Sequence, residues 1–138
     1  MKKRKLLILS ILLFIVIVIL VMFLPRPLTF LIPTKNITTI EIENKDGVYD
    51  EETGLYSKSI ETLSEKEEEE CINKIKDGWY RNMYLKYKMT SKIKYTIHYE
   101  DGSHIEFNEY LVRKYDNNNN LVRMKRVWLM TSFDFMGD

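Results

Sequence analysis

The chain opens on one unbroken apolar run and then changes to short stretches in which apolar and polar residues alternate. Leu6 to Leu24 reads LLILSILLFIVIVILVMFL, nineteen residues with no charge and with Ser10 as the only polar side chain. At about 1.5 Å rise per residue such a helix is about 28 Å long, close to the roughly 30 Å hydrocarbon core of a bilayer. A helix satisfies its own backbone hydrogen bonds, which lipid requires. Pro25 and Pro27 follow and cannot continue it. The run therefore predicts a transmembrane helix from Leu6 to Leu24. A cleaved signal peptide is the competing reading, but its apolar core is typically about 7–15 residues long. No A-x-A-like cleavage site follows, and no cysteine stands close behind the run.

Leu28 to Pro33, LTFLIP, is too short to span and either rests at the membrane interface or starts the domain. From there the period is two. Ile40 and Ile42 share a face of a strand over Ile37–Glu43, Asn44 to Gly47 reads as a turn, and Val48–Asp50 and Leu55–Leu63 pair around Glu51–Gly54. A helix interrupts the strands. Ser64 and Glu67 form a capping box, Glu65, Glu67 and Glu68 occupy the first turn, and Lys74 and Lys76 lie near the end. Gly78 reads as its left-handed C-terminal residue, and Cys71, Ile72, Ile75 and Trp79 as the side that packs on the sheet.

Alternation then resumes over Met83–Met89, Ile93–Tyr99 and Ile105–Phe107. It breaks at Tyr110-Leu111-Val112, where a bulge is expected, and a last strand, Leu121–Met130, follows the turn-prone Asp116–Asn120. The pattern fixes one register. A two-residue Asp101-Gly102 loop would put Ile105 and Phe107 on the face opposite Tyr95 and Ile97. A three-residue loop, Glu100 to Gly102, pairs Ile97 with Ile105 and Tyr95 with Phe107, and gives Gly102 the left-handed position. His98 and His104 then face each other across the strands.

These elements predict an α+β fold: an N-terminal transmembrane helix, then a mostly antiparallel β-sheet with one helix packed on one face. The expected division is a cytoplasmic basic tip at 1–5, the transmembrane helix at 6–24, an exit segment at 25–35 and one domain at 36–138.

Charge refines the picture. The net charge is +1, but Lys2, Lys3, Arg4 and Lys5 precede the apolar run, and the chain from Arg26 onward carries 17 basic against 20 acidic residues. The basic tip places the N-terminus in the cytoplasm and the domain outside it. A domain without basic excess is not a general nucleic-acid binder. Residues 36–77 hold 13 acidic and 5 basic residues, whereas residues 78–138 hold 7 and 10. In the basic half, Arg81, Lys86, Lys88, Lys92 and Lys94 interleave with tyrosines such as Tyr84. They form the candidate contact surface for an anionic wall polymer, lipid headgroups or an acidic protein.

Candidate chemistry is sparse. The single cysteine, Cys71, excludes an intrachain disulfide and reads as a packed small residue. His98 and His104 are weak candidates for a shared zinc or copper ion, with no convincing third or fourth ligand. Asp116, Asn118 and Asn120 begin like a calcium loop, but Leu121 stands where the glycine is required and Val127 where the final glutamate belongs. There is no HExxH, GxSxG, P-loop or Rossmann glycine pattern, so neither a catalytic centre nor a cofactor is expected.

The basic start Met1–Lys5, the apolar helix, ITTIEIENKDG, SEKEEEECINKIKDG and KIKYTIHYEDGSHIEF together resemble the short membrane-anchored proteins of unknown function in low-GC Gram-positive bacteria. That resemblance implies an extracytoplasmic α+β domain and supplies no active-site residues. The leading expectation is a membrane-tethered, non-enzymatic interaction domain. The alternatives are a protective or regulatory subunit whose membrane helix also contacts a partner, and an unrecognised extracellular enzyme.

Overall fold

The structure is a computed structural model in which the described residues are 1–50, 52, 54–84 and 93–130, with 45–50 and 55–59 described by backbone alone. The first helix, α1 (Lys2–Met22), begins inside the basic segment, four residues ahead of the apolar run. It closes before Leu24, because the Leu24 N–H tightens onto the Val21 carbonyl and Pro25 has no N–H to offer. None of its side chains is buried, and it is long and apolar enough to cross a membrane by length and composition.

The remainder is α+β. Eight strands form one open sheet: β1 (Arg26–Pro27), β2 (Ile37–Asp50), β3 (Leu55–Thr62), β4 (Trp79–Asn82), β5 (Ile93–Tyr99), β6 (His104–Phe107), β7 (Leu111–Tyr115) and β8 (Leu121–Leu129). Their order is β1-β4-β8-β7-β6-β5-β2-β3, and every pairing is antiparallel. The second helix, α2 (Glu65–Asp77), covers one face with Cys71 and Ile75. Its start follows from sequence: the Ser64 hydroxyl accepts the Glu67 N–H at 3.4 Å, and three glutamates fill the first turn.

The alternating strands explain the core. Ile40, Ile42, Tyr95, Ile97, Ile105 and Phe107 point to the α2 side and are buried. The predicted hairpin is present, with Ile97 opposite Ile105, Tyr95 opposite Phe107, and Gly102 at φ 85°. Tyr95 and Phe107 stack with ring centroids 5.1 Å apart. The LTFLIP segment completes this core rather than leaving it. A 3₁₀ turn (Leu28–Phe30) carries Leu28, Leu31 and Ile32 under the sheet, and the Leu28 N–H donates to the Gly78 carbonyl at 2.9 Å. The domain core therefore begins at Leu28, inside the expected exit segment.

Four local expectations change. Asn44–Gly47 is not a chain reversal. β2 runs through it with a bulge, because Asn44 opposes Ser59 and Val48 opposes Ser57, leaving three residues against one. The reversal comes later, at Gly54, whose φ of 69° the turn needs. Gly78 is extended rather than left-handed, at φ −82° and ψ 156°, so α2 leads straight into β4. Trp79 consequently belongs to a strand and faces away from α2. In place of a bulge over Tyr110–Val112 the chain turns just before Leu111, where the Asn108 side-chain oxygen accepts the N–H groups of both Tyr110 and Leu111, and Leu111 and Val112 already belong to β7. Residues 85–89 of the strand expected over Met83–Met89 lie outside the described residues.

Candidate functional site

With α2 and the 28–32 segment on one face, the other face of the sheet is open, and it divides into two unlike halves. Over β2, β5 and β6 it is polar and paired internally. The Lys94 ammonium lies 2.8 Å from Glu43 Oε2 and 3.5 Å from Glu106 Oε1. Burial pulls the Lys94 pKa down, but the hydrogen bond to Glu43 and the two nearby carboxylates outweigh it and hold the ammonium above its ordinary range. His98 and His104 oppose each other as the register requires, with ring centroids 5.8 Å apart. Each ring also has another neighbour. His98 Nε2 lies 3.4 Å from Glu41 Oε2 without forming a hydrogen bond, and His104 stacks on Tyr115 at 4.6 Å and 8°. No set of three or more potential metal ligands occurs among the described residues.

Over β4 and β8 the open face is apolar and cationic. Arg81 pairs with Trp128, and Tyr80 with Leu129, so strand alternation puts Trp79, Arg81, Met124, Arg126 and Trp128 on the side away from the core. Trp79 is 48% exposed, Trp128 58% and Met124 52%. These are the only two tryptophans in the chain. Arg81 and Arg126 are exposed, and among the described residues neither pairs with a carboxylate. Scattered exposed apolar side chains are ordinary, whereas a contiguous patch interleaved with cations marks a contact surface.

This patch adjoins the end of α1. Only Phe23, Leu24 and Pro25 separate α1 from β1, which pairs with β4. Just past β4, the Tyr84 hydroxyl donates to the Met22 carbonyl at 3.1 Å and accepts from the Asn82 amide at 3.3 Å. The Tyr84 ring meets Phe23 edge-on at 5.7 Å. On the core side of the same edge Lys125 lies over the Tyr80 ring, 5.5 Å from its centroid. Burial, then the charges of Arg123 and Arg26, lower its pKa, which marks a cluster of like charges.

A cleft lies at the end of the sheet. It is an open cleft of about 490 Å³ bordered by Pro33, Lys35, Asn36, Tyr99, Asp101 and Lys114. The Tyr99 hydroxyl closes one side by donating to the Pro33 carbonyl at 2.7 Å, and burial followed by the Asp101 charge raises its pKa. Its cations and acids are mixed, and both histidines face the other side of the sheet. Cys71 is fully buried on the packed side of α2, and burial pushes its thiol up to about 12. The sheet separates it from both histidines, so no cysteine–histidine pair exists.

Of the residues expected at a contact surface, Arg81 lies on the open face and Tyr84 beside it at the end of α1. Lys94 is committed to Glu43 and Glu106, and Lys86, Lys88 and Lys92 lie outside the described residues. Sequence assigned Trp79 to the packed side of the helix and did not single out Met124, Arg126 or Trp128. One signal for them existed: β8 carries apolar residues in both phases, Val127 and Leu129 in one, Val122, Met124 and Trp128 in the other. A strand patterned that way has two apolar faces, and α2 covers only one. The Asp116–Asn120 loop uses the Asp116 carboxylate to accept the N–H groups of Asn118 and Asn120, as a connecting turn does. Compared with known proteins, no family model, curated protein or solved structure matches the chain.

Proposed function

We propose that this chain is a single-pass membrane protein whose helix α1 holds a non-enzymatic binding domain outside the cytoplasm, with the open face of β4 and β8 as its contact surface. The basic tip before α1 supports that orientation, because cationic flanks are retained on the cytoplasmic side. The observation that carries the reading is the exposed Trp79–Arg81–Trp128–Arg126–Met124 patch. Its chemistry suits an anionic surface that also accepts apolar side chains.

The test is thiol protection on intact cells. Native Cys71 is buried and contributes no background. Met124→Cys places a thiol in the patch, and Lys66→Cys places one on the exposed side of α2. A membrane-impermeant maleimide is expected to label Lys66→Cys quickly and Met124→Cys slowly. Arg81→Glu with Arg126→Glu is expected to restore fast labelling at Met124→Cys. Equal labelling of the two single-thiol proteins would show that nothing covers this face and would refute the reading.

A further inference from the structure

We infer that the surface met by the open β4–β8 face is the anionic headgroup layer of the same membrane that α1 crosses, so that the domain lies down along its β1–β4–β8 edge. This rests on the proposed contact surface and names what occupies it.

Chain length sets the first constraint. The three residues between α1 and β1 span at most about 10 Å, so β1 starts next to the point where the helix leaves the bilayer. Neighbouring strands are about 4.8 Å apart, which places β4 and β8 within roughly 10 Å of β1. Strand direction sets the second. β4 runs toward Tyr84, which is fastened to the last turn of α1 through the Met22 carbonyl and the Phe23 ring. β8 is antiparallel to β4, so its beginning, with Val122 and Met124, lies at the α1 end as well. Val122 and Met124 are therefore the exposed apolar side chains of β8 nearest the helix exit, with Trp128 farther along the strand opposite Arg81.

Composition sets the third. Trp79, Tyr84 and Trp128 are amphipathic aromatics of the kind enriched at membrane interfaces, where the ring reaches the acyl boundary and its polar edge stays wet. Arg81 and Arg126 extend an apolar stem and a phosphate-binding guanidinium from the same face. Arg26, Arg123 and Lys125 add charge on the other side of the edge. Among the described residues no carboxylate neutralises any of the five. Arg81 and Arg126 on the open face suit lipid phosphates directly, and Arg26, Arg123 and Lys125 behind them raise the positive potential of the same edge. A partner protein would need a matching acidic surface at the same height above the bilayer.

The two tryptophans report on this face directly, because both lie on it. The full chain is reconstituted into vesicles of phosphatidylcholine alone, and into vesicles of equal parts phosphatidylcholine and phosphatidylglycerol. In the anionic vesicles the tryptophan emission is expected to shift to the blue. Quenching by lipid brominated high on the acyl chain is expected to rise by about twofold or more, and quenching by aqueous acrylamide to fall, with added salt reversing both. Arg81→Glu with Arg126→Glu is expected to return the signal to that of phosphatidylcholine alone without moving the thermal unfolding midpoint. Identical emission and full acrylamide access in both vesicles would overturn the inference. If Met124→Cys is nonetheless protected on cells, the contact surface stands and its partner is a protein or wall polymer. If Met124→Cys is unprotected there as well, both readings fall.

Discussion

Leu28→Ala tests whether the segment after α1 belongs to the domain or to the lipid. Leu28 is fully buried, and its N–H donates to the Gly78 carbonyl, so it links the start of the domain to the end of α2. Truncating a buried leucine removes its transfer free energy and leaves a cavity, together about 2–5 kcal/mol. Against a total stability of about 5–15 kcal/mol, a loss of about 3 kcal/mol is large. For a domain of this size each kcal/mol moves the midpoint by about 4–8 °C, so the expected drop is about 12–24 °C. The assay is near-ultraviolet circular dichroism of the detergent-solubilised full chain, which follows aromatic packing and ignores the persistent helicity of α1. Phe30→Ala is the control, because Phe30 is 67% exposed in the same turn and its loss is expected to change the midpoint little. A Leu28→Ala midpoint within about 4 °C of the parent, equivalent to less than about 1 kcal/mol, would show that this segment is not in the core.

Three further outcomes follow from the described geometry. The Cys71 thiol, buried and raised to about 12, is expected to resist iodoacetamide in the folded protein and to react only in denaturant; stoichiometric labelling under native conditions would contradict its placement. The raised pKa of Lys94 means that its ion pairs contribute stability below the ordinary lysine value of 10.5 and lose it as pH rises through the folded value. The urea-midpoint gap between the parent and Lys94→Met is therefore expected to hold at neutral pH and to narrow in strong alkali, and a gap independent of pH would refute this. Zinc titration is expected to leave the ring resonances of His98 and His104 unmoved, because no third ligand joins them among the described residues; saturable shifts of both rings would establish a site.

Sequence revealed the elements whose signals are local. The apolar run, the Ser64 half of the capping box and the β5–β6 register each depend on residues close together in the chain, and each is present in the structure. The His98–His104 pairing followed from keeping Ile97, Ile105, Tyr95 and Phe107 on one face. What sequence concealed depends on distant partners. Six residues such as LTFLIP carry no period, and whether they enter lipid or a protein core depends on which apolar phase lies closer. Asn44–Gly47 has turn composition, but Asn44 is held by Ser59 of β3 and Ile93 of β5, and pairing with β3 resumes at Val48. Lys94 reads as one more cation in a basic stretch until β2 and β6 bring Glu43 and Glu106 to it. The proposed contact face was half legible. Arg81 and Tyr84 stood out by composition, whereas Trp128 and Arg126 needed the sheet order that sets β8 beside β4.

Every proposed contact requires α1 to cross the membrane with the domain on the outer side. Single thiols at Lys3→Cys and Asn73→Cys, probed in intact cells with an impermeant maleimide, test this directly, since the native thiol is buried. Labelling of Asn73→Cys alone, with Lys3→Cys reacting only after the membrane is permeabilised, is the predicted result. The reverse pattern, or release of an Asn73→Cys product that begins beyond Leu24, would contradict it.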